Sequence, residues 1–203
     1  MLQEAELFVM AEEMLVEVLG RIRPADRDIV LPPLFEEPGV DQPAPIWRVV
    51  QLYARDDAWV PDLLSGRTID EVGRDRFDGD LLGDDPRASI TRIAGAAMAA
   101  AREVTDGDVI VHASHGDIST RTFLQRLTIA RSLVAHYVAT YLGSTACPLP
   151  EELARPLWEV TAPEADMWRA LGFFRDPMPL PEHVSWRDRF LLTAGHLPHP
   201  LGH

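Results

Sequence analysis

Phe123-Leu-Gln-Arg-Leu-Thr-Ile-Ala-Arg-Ser-Leu-Val-Ala-His-Tyr-Val-Ala-Thr-Tyr-Leu-Gly143 is long, periodic and bounded at both ends, and the rest of the chain is organised around it. Leu124, Leu127, Ala130 or Arg131, Val134, Tyr137 or Val138, and Tyr141 recur at the three-and-four spacing of one apolar helix face. Ser119 is available as N-cap and Gly143 as a left-handed stop. The spacing predicts a major core helix. Arg131 and His136 disturb its apolar face, and the pattern accommodates them either as the lining of a pocket or as water-facing groups.

The periodic segments outward from this helix are also helical. Residues 2–22 carry Ala5, Phe8, Ala11 or Glu12, Leu15, Leu19 and Ile22 on one stripe with acids opposite, up to Pro24. Residues 32–45 are too rich in proline for a helix or a central strand and form a connector. A second helix is predicted over 46–64, stopped by Gly66, with Val49 or Val50, Tyr53, Asp56 or Asp57, Val60, and Leu63 or Leu64 in register. An acid thus falls inside its apolar stripe. It either salt-bridges Arg48, Arg55 or Arg131 from the stripe's edge, or serves as a polar pocket group.

Residues 67–86 form a polar connection whose alternating acids lack the spacing of a calcium loop. Asp85 then caps a third helix, which has Pro86 at its first position and extends to about Val104; its alanines permit close helix approach. Val109 to His112 is a short, strand-like apolar run, followed by Ala113 to Asp117. His112 and His115 have the spacing of a metal pair, but no third ligand accompanies them. After Gly143 the spacing predicts helices over about 151–161 and 163–171, with Gly172 as stop. Ser185 opens a last short helix in the manner of a capping box, through Phe190 to Thr193. His196, His199 and His203 follow in a tail where histidines are usually solvated.

The composition excludes several functional classes. Lys and Arg number 19 against 32 Asp and Glu, a formal net charge of −13, so nucleic acid and anionic membrane, which require a basic footprint, are poor partners. A chain of 203 residues, 46% hydrophobic and 25% charged, is long enough for one sizeable core, and a single helical-bundle domain over 1–203 is expected. The one cysteine, Cys147, forms no internal disulfide and lies just past a helix C-terminus, where the dipole disfavours a thiolate. With no charged-then-apolar segment opening the chain and no apolar run near the roughly 20 residues of a membrane span, a cytoplasmic location is expected. Dinucleotide, phosphate-loop, nucleophile-elbow, Cys-x-x-Cys and His-Glu-x-x-His signatures are all absent from the sequence.

The layout of four long helices, with a long loop between the second and third, resembles the DinB/YfiT-like bundle, specifically the mycothiol-dependent maleylpyruvate isomerase type. The resemblance covers most of the chain. Trp47-Arg-Val-Val-Gln-Leu-Tyr-Ala-Arg55 is similar to that family's second-helix opening, Arg131 to Gly143 to its helix ending in Ala-Leu-Gly, and Ala194-Gly-His-Leu-Pro198 to its Gly-Arg-x-Pro ending. Trp59-Val-Pro-Asp-Leu-Leu-Ser-Gly-Arg-Thr68 and Val111-His-Ala-Ser-His-Gly-Asp117 resemble a metal-associated actinobacterial subgroup. The resemblance implies an all-α fold, a four-helix bundle with additional short C-terminal helices. It also implies a divalent metal held by a second-helix His and a Glu/His-x-x-x-His pair in the fourth helix, with mycothiol as cofactor. The corresponding positions here are Arg55, Ala130 and Val134, none of them a ligand. A shift of two residues brings His136 into place but pairs it with Ser132, a poor ligand.

Three functions fit these residues. The first is a metal-free small-molecule pocket, with His136 and Asp56 for acid/base work and Tyr53, Arg55, Asp57, Arg131, His112 and His115 for binding. Within it, Arg131 is expected to pair with Asp56 or Asp57 across helices. The second keeps a divalent metal at Asp56, His112, His115 or His136, with a thiol (mycothiol)-dependent transferase or isomerase activity. The third is a non-enzymatic scaffold whose acidic face meets a partner protein. A homodimer is the assembly kept open.

Overall fold

Helix dominates the computed structural model, which describes residues 2–35, 42–143 and 149–198. In chain order the elements are α1 (Gln3–Leu19), β1 (Val30–Leu31), β2 (Ala44–Pro45), α2 (Ile46–Leu64), α3 (Ile69–Val72), α4 (Pro86–Arg102), β3 (Ile110–Ala113), β4 (Gly116–Ser119), α5 (Thr120–Tyr141), α6 (Glu151–Thr161), α7 (Ala165–Ala170) and α8 (Trp186–Thr193). Short 3-10 turns lie at Pro24–Asp26 and Ala162–Glu164. The fold is therefore predominantly α-helical, as the periodicity requires. No helix among the described residues is long and apolar enough to cross a membrane. The chain divides into two compact units, residues 1–20 with 47–128, and residues 21–46 with 129–203.

The first unit is built on α1 against α4. Ala94, Ala97 and Ala101 on the buried face of α4 lack bulk, so α1 can approach closely and bury Ala5, Phe8 and Ala11. Val60 and Leu63 of α2, Val111 of the hairpin, and Phe123 and Leu124 at the start of α5 complete this core. The expected caps form. Asp85 accepts from the Ala88 amide at 3.1 Å, and the Ser119 hydroxyl accepts from the Thr122 amide at 3.2 Å. α3 occupies part of the connection read as purely polar loop, because Thr68 and Glu71 make a reciprocal capping box. The run after Val109 is strand, and it turns at Ser114–His115 into an antiparallel partner with the register Ile110↔Ser119 and Ala113↔Gly116. Glu4, although on the acid-rich helix α1, is buried and ion-paired with Arg121.

The second unit combines the later part of α5 with α6, α7 and α8, and α6 packs on α8. Its core includes an aromatic chain, with Trp168 set at 6.5 Å from Phe174, and Phe174 edge-on to Phe190 at 6.1 Å. On its surface Trp158 and Trp186 lie 5.4 Å apart, and Arg189 stacks over both rings. The proline-rich connector is tied down at its ends by the two-residue β1–β2 ladder, Val30↔Pro45 and Leu31↔Ala44. Gly143 adopts φ +78° and its amide returns to the Thr140 carbonyl at 3.1 Å, so it ends α5 as expected.

Candidate functional site

A helix on a protein surface buries one stripe, but α5 is buried on every side from Thr128 to His136. Polar residues in that stretch are therefore core residues. Arg131 is only 2% exposed and His136 only 5%. Arg131 engages in polar interactions, as burial demands, because its guanidinium stays charged at every accessible pH and an unpaired buried charge costs several kcal/mol. Tyr141, expected on the same apolar face, is instead exposed and sets its ring edge-on to Tyr137 at 5.0 Å.

Five residues separate Arg131 from His136, which places them about 140° apart around the helix axis. They consequently serve different sides of α5. Val134 and Val138 share the Arg131 side, whereas Ser132, one turn earlier, lies on the His136 side. The buried Ser132 hydroxyl has no hydrogen-bond partner among the described residues.

On its side, His136 places Nε2 2.8 Å from the Leu197 carbonyl oxygen. A carbonyl only accepts, so Nε2 carries the hydrogen, and in the neutral ring Nδ1 is the basic nitrogen. A second histidine belongs to this region. His196, expected to be solvated, is 6% exposed. Burial, then the positive charge of Arg175, then His136, lower its pKa to about 3, so its ring is neutral around neutral pH. Arg175 donates to the Pro33 carbonyl, and the Tyr137 hydroxyl donates to the Pro32 carbonyl at 2.6 Å. Burial, reinforced by the bond to Tyr141, pushes the Tyr137 hydroxyl well above its usual value, so Tyr137 acts as a neutral donor.

The remaining predicted residues fall in the first unit. The acid inside the α2 stripe is Asp57, 4% exposed, while Asp56 faces solvent. Rotation of α2 thus selects the neighbour of the residue assigned an acid/base role. Tyr53 is buried. Arg55 is exposed and pairs with Asp78 at 2.6 Å. His112 bonds through Nδ1 to Asp117 across the β3–β4 hairpin at 2.8 Å, and His115 is exposed at its turn. Among the described residues no group of three or more His, Cys, Asp and Glu side chains could hold a metal ion. Cys147, His199 and His203 lie outside the described residues.

Arg175 and His196 are polar groups of this region that the periodicity did not single out. For His196 a signal was present. Gly195 follows a capped helix, and the residue after such a glycine normally folds back over the last turn. Compared with models of known protein families, with curated proteins and with solved structures, the chain matches none.

Proposed function

We propose that this protein binds a small carboxylate-bearing molecule without a metal, with Arg131 of α5 as the anion anchor, on a helical bundle of the DinB/YfiT-like, maleylpyruvate isomerase type. The observation that carries this reading is a guanidinium 2% exposed within the unbroken buried run of α5 from Thr128 to His136. A guanidinium presents five N–H donors in a planar fork, and a single carboxylate partner takes two of them. Arg131 is engaged within the protein, and a ligand carboxylate that binds it exchanges with or adds to those interactions. A scaffold has no need of such a group, because replacing a buried charge together with its partners by well-packed apolar residues is often neutral or stabilising. The resemblance adds the ligand class, since maleylpyruvate carries carboxylates, and the lone cysteine suits the reducing cytoplasm.

Calorimetric titration with maleate tests this. Wild-type protein is expected to bind; Arg131→Leu should lose at least about a hundredfold in affinity, the value of a charge-assisted bidentate pair, while far-UV circular dichroism stays helical. Arg131→Lys, which keeps the charge but not the fork, should fall between them. Equal binding by wild type and Arg131→Leu, or no binding by wild type, would contradict the proposal.

A further inference from the structure

Three helices close with the same turn, in which a glycine's amide returns to the carbonyl three residues back and the next amide to the carbonyl five back. In α2 these bonds are Gly66 to Leu63 at 3.0 Å and Arg67 to Asp62 at 3.2 Å; in α7, Gly172 to Arg169 at 2.9 Å and Phe173 to Trp168 at 3.0 Å; in α8, Gly195 to Leu192 at 3.2 Å and His196 to Leu191 at 2.8 Å. This is the Schellman arrangement, and the side chain after the glycine commonly packs back on the last turn. In α2 that side chain is Arg67, which stays partly in water and pairs with Asp62 at 2.6 Å. In α7 it is Phe173, edge-on to Trp168 at 5.7 Å. One is charged and wet, the other apolar. In α8 the place is taken by His196, an ionisable ring in a buried position.

That position is unfavourable to a proton. His196 Nε2 is buried with no hydrogen-bond partner among the described residues. The charged and titratable groups set against it are Arg175, from the run after α7, and His136, from α5, and both oppose positive charge there. Asp176 reaches this turn through its backbone carbonyl. The next residue, Leu197, accepts the His136 Nε2 hydrogen bond. A protonated His136 keeps that hydrogen, so its own titration leaves the bond intact.

We propose that residues 194–198 form an acid-released latch on the buried part of α5: with His196 neutral the segment docks and ties Leu197 to His136, and a proton on His196 expels the segment and frees the His136 ring. The sign follows from linkage. The detached ring takes up its proton near the ordinary value of 6.5, the docked ring only near 3. Docking is thus at full strength above about pH 6.5 and weakens by up to about tenfold per pH unit below it. The latch does not depend on Arg131 or on any ligand.

Hydrogen exchange of the full chain, followed by mass spectrometry and corrected for intrinsic rates, tests the latch. Protection of the peptide spanning 191–198 is expected to fall at least about tenfold between pH 7.5 and pH 5.0 in wild type. In His196→Phe, which places in α8 the side chain that α7 already uses, protection should change less than about threefold over the same range. The His196 ring proton resonances in wild type supply a second measurement that needs no variant. Their titration midpoint should lie below 6 and coincide with the loss of protection. Unchanged protection in wild type, an equal loss in His196→Phe, or a His196 midpoint near 6.5 with the segment still protected would each overturn the latch.

Discussion

Replacing Gly195 by alanine is expected to destabilise the protein by about 2–5 kcal/mol, measured as a drop in the urea midpoint at constant slope. A methyl group at this position would lie 2.6 Å from the Asp176 carbonyl oxygen, 2.7 Å from Arg175 Cβ and 3.0 Å from the Arg175 carbonyl carbon. These are largely backbone contacts and no rotamer change relieves them. Shifting that backbone breaks the bonds that align it with the end of α8, Arg175 to Ala194 at 3.1 Å and Met178 to Leu192 at 3.0 Å. The left-handed backbone, φ +79°, adds roughly 1–2 kcal/mol for any residue with a Cβ. Gly83 separates the two effects. It also has positive φ, +56°, but nothing lies within 4 Å of a methyl there, so Gly83→Ala should cost only about 1 kcal/mol. Equal costs at the two glycines would show that the close approach at Gly195 contributes nothing.

Arg131→Ala is the second large effect, expected at about 3–5 kcal/mol. Two terms combine. Truncation opens a cavity in a helix segment that is buried on all sides, and it leaves the groups held by the guanidinium unpaired in the core. Arg131→Leu keeps most of the volume and should be about 2 kcal/mol less damaging. Equal destabilisation by the two variants would mean that the cost is purely electrostatic. A negligible effect of both would remove Arg131 from the core altogether.

Much of the fold could be read from local chemistry. α2 is bounded as predicted because its start follows a proline-rich run and its end is a Ser-Gly turn. α4 starts where Asp85 and Pro86 place it, and α8 starts at Ser185, whose hydroxyl accepts from the Asp188 amide at 3.0 Å. Helix caps and stops are decided within four residues, so a sequence states them directly. β4 was less accessible, because Gly116-Asp-Ile-Ser119 has strand character only once β3 lies beside it. α3 could have been found, since Thr68 and Glu71 have capping-box spacing, but four residues carry too little periodicity to register.

The polar groups were harder to place. Periodicity put an acid in the α2 stripe, but rotation about the helix axis, which is set by packing, decided that Asp57 rather than Asp56 is buried. Arg131 and His136 stood out because each interrupts an apolar face, and both are buried. The glycine before His196 signals a fold-back over the end of α8, but the depth of its burial depends also on Gly195 meeting residues 175–176, about twenty positions away, a contact that local pattern does not report. The three positions where the resemblance implies metal ligands hold a solvent-facing arginine, Arg55, and two buried aliphatic residues, Ala130 and Val134. The proposed chemistry therefore rests on this chain's own buried cation.

The most direct test of that claim is a crystal structure of the protein grown with maleate. Electron density is expected for a carboxylate in the plane of the Arg131 guanidinium, with two N–H···O contacts of about 2.7–2.9 Å. Maleate density on solvent-facing side chains alone, with the Arg131 donors all occupied by protein groups, would contradict it.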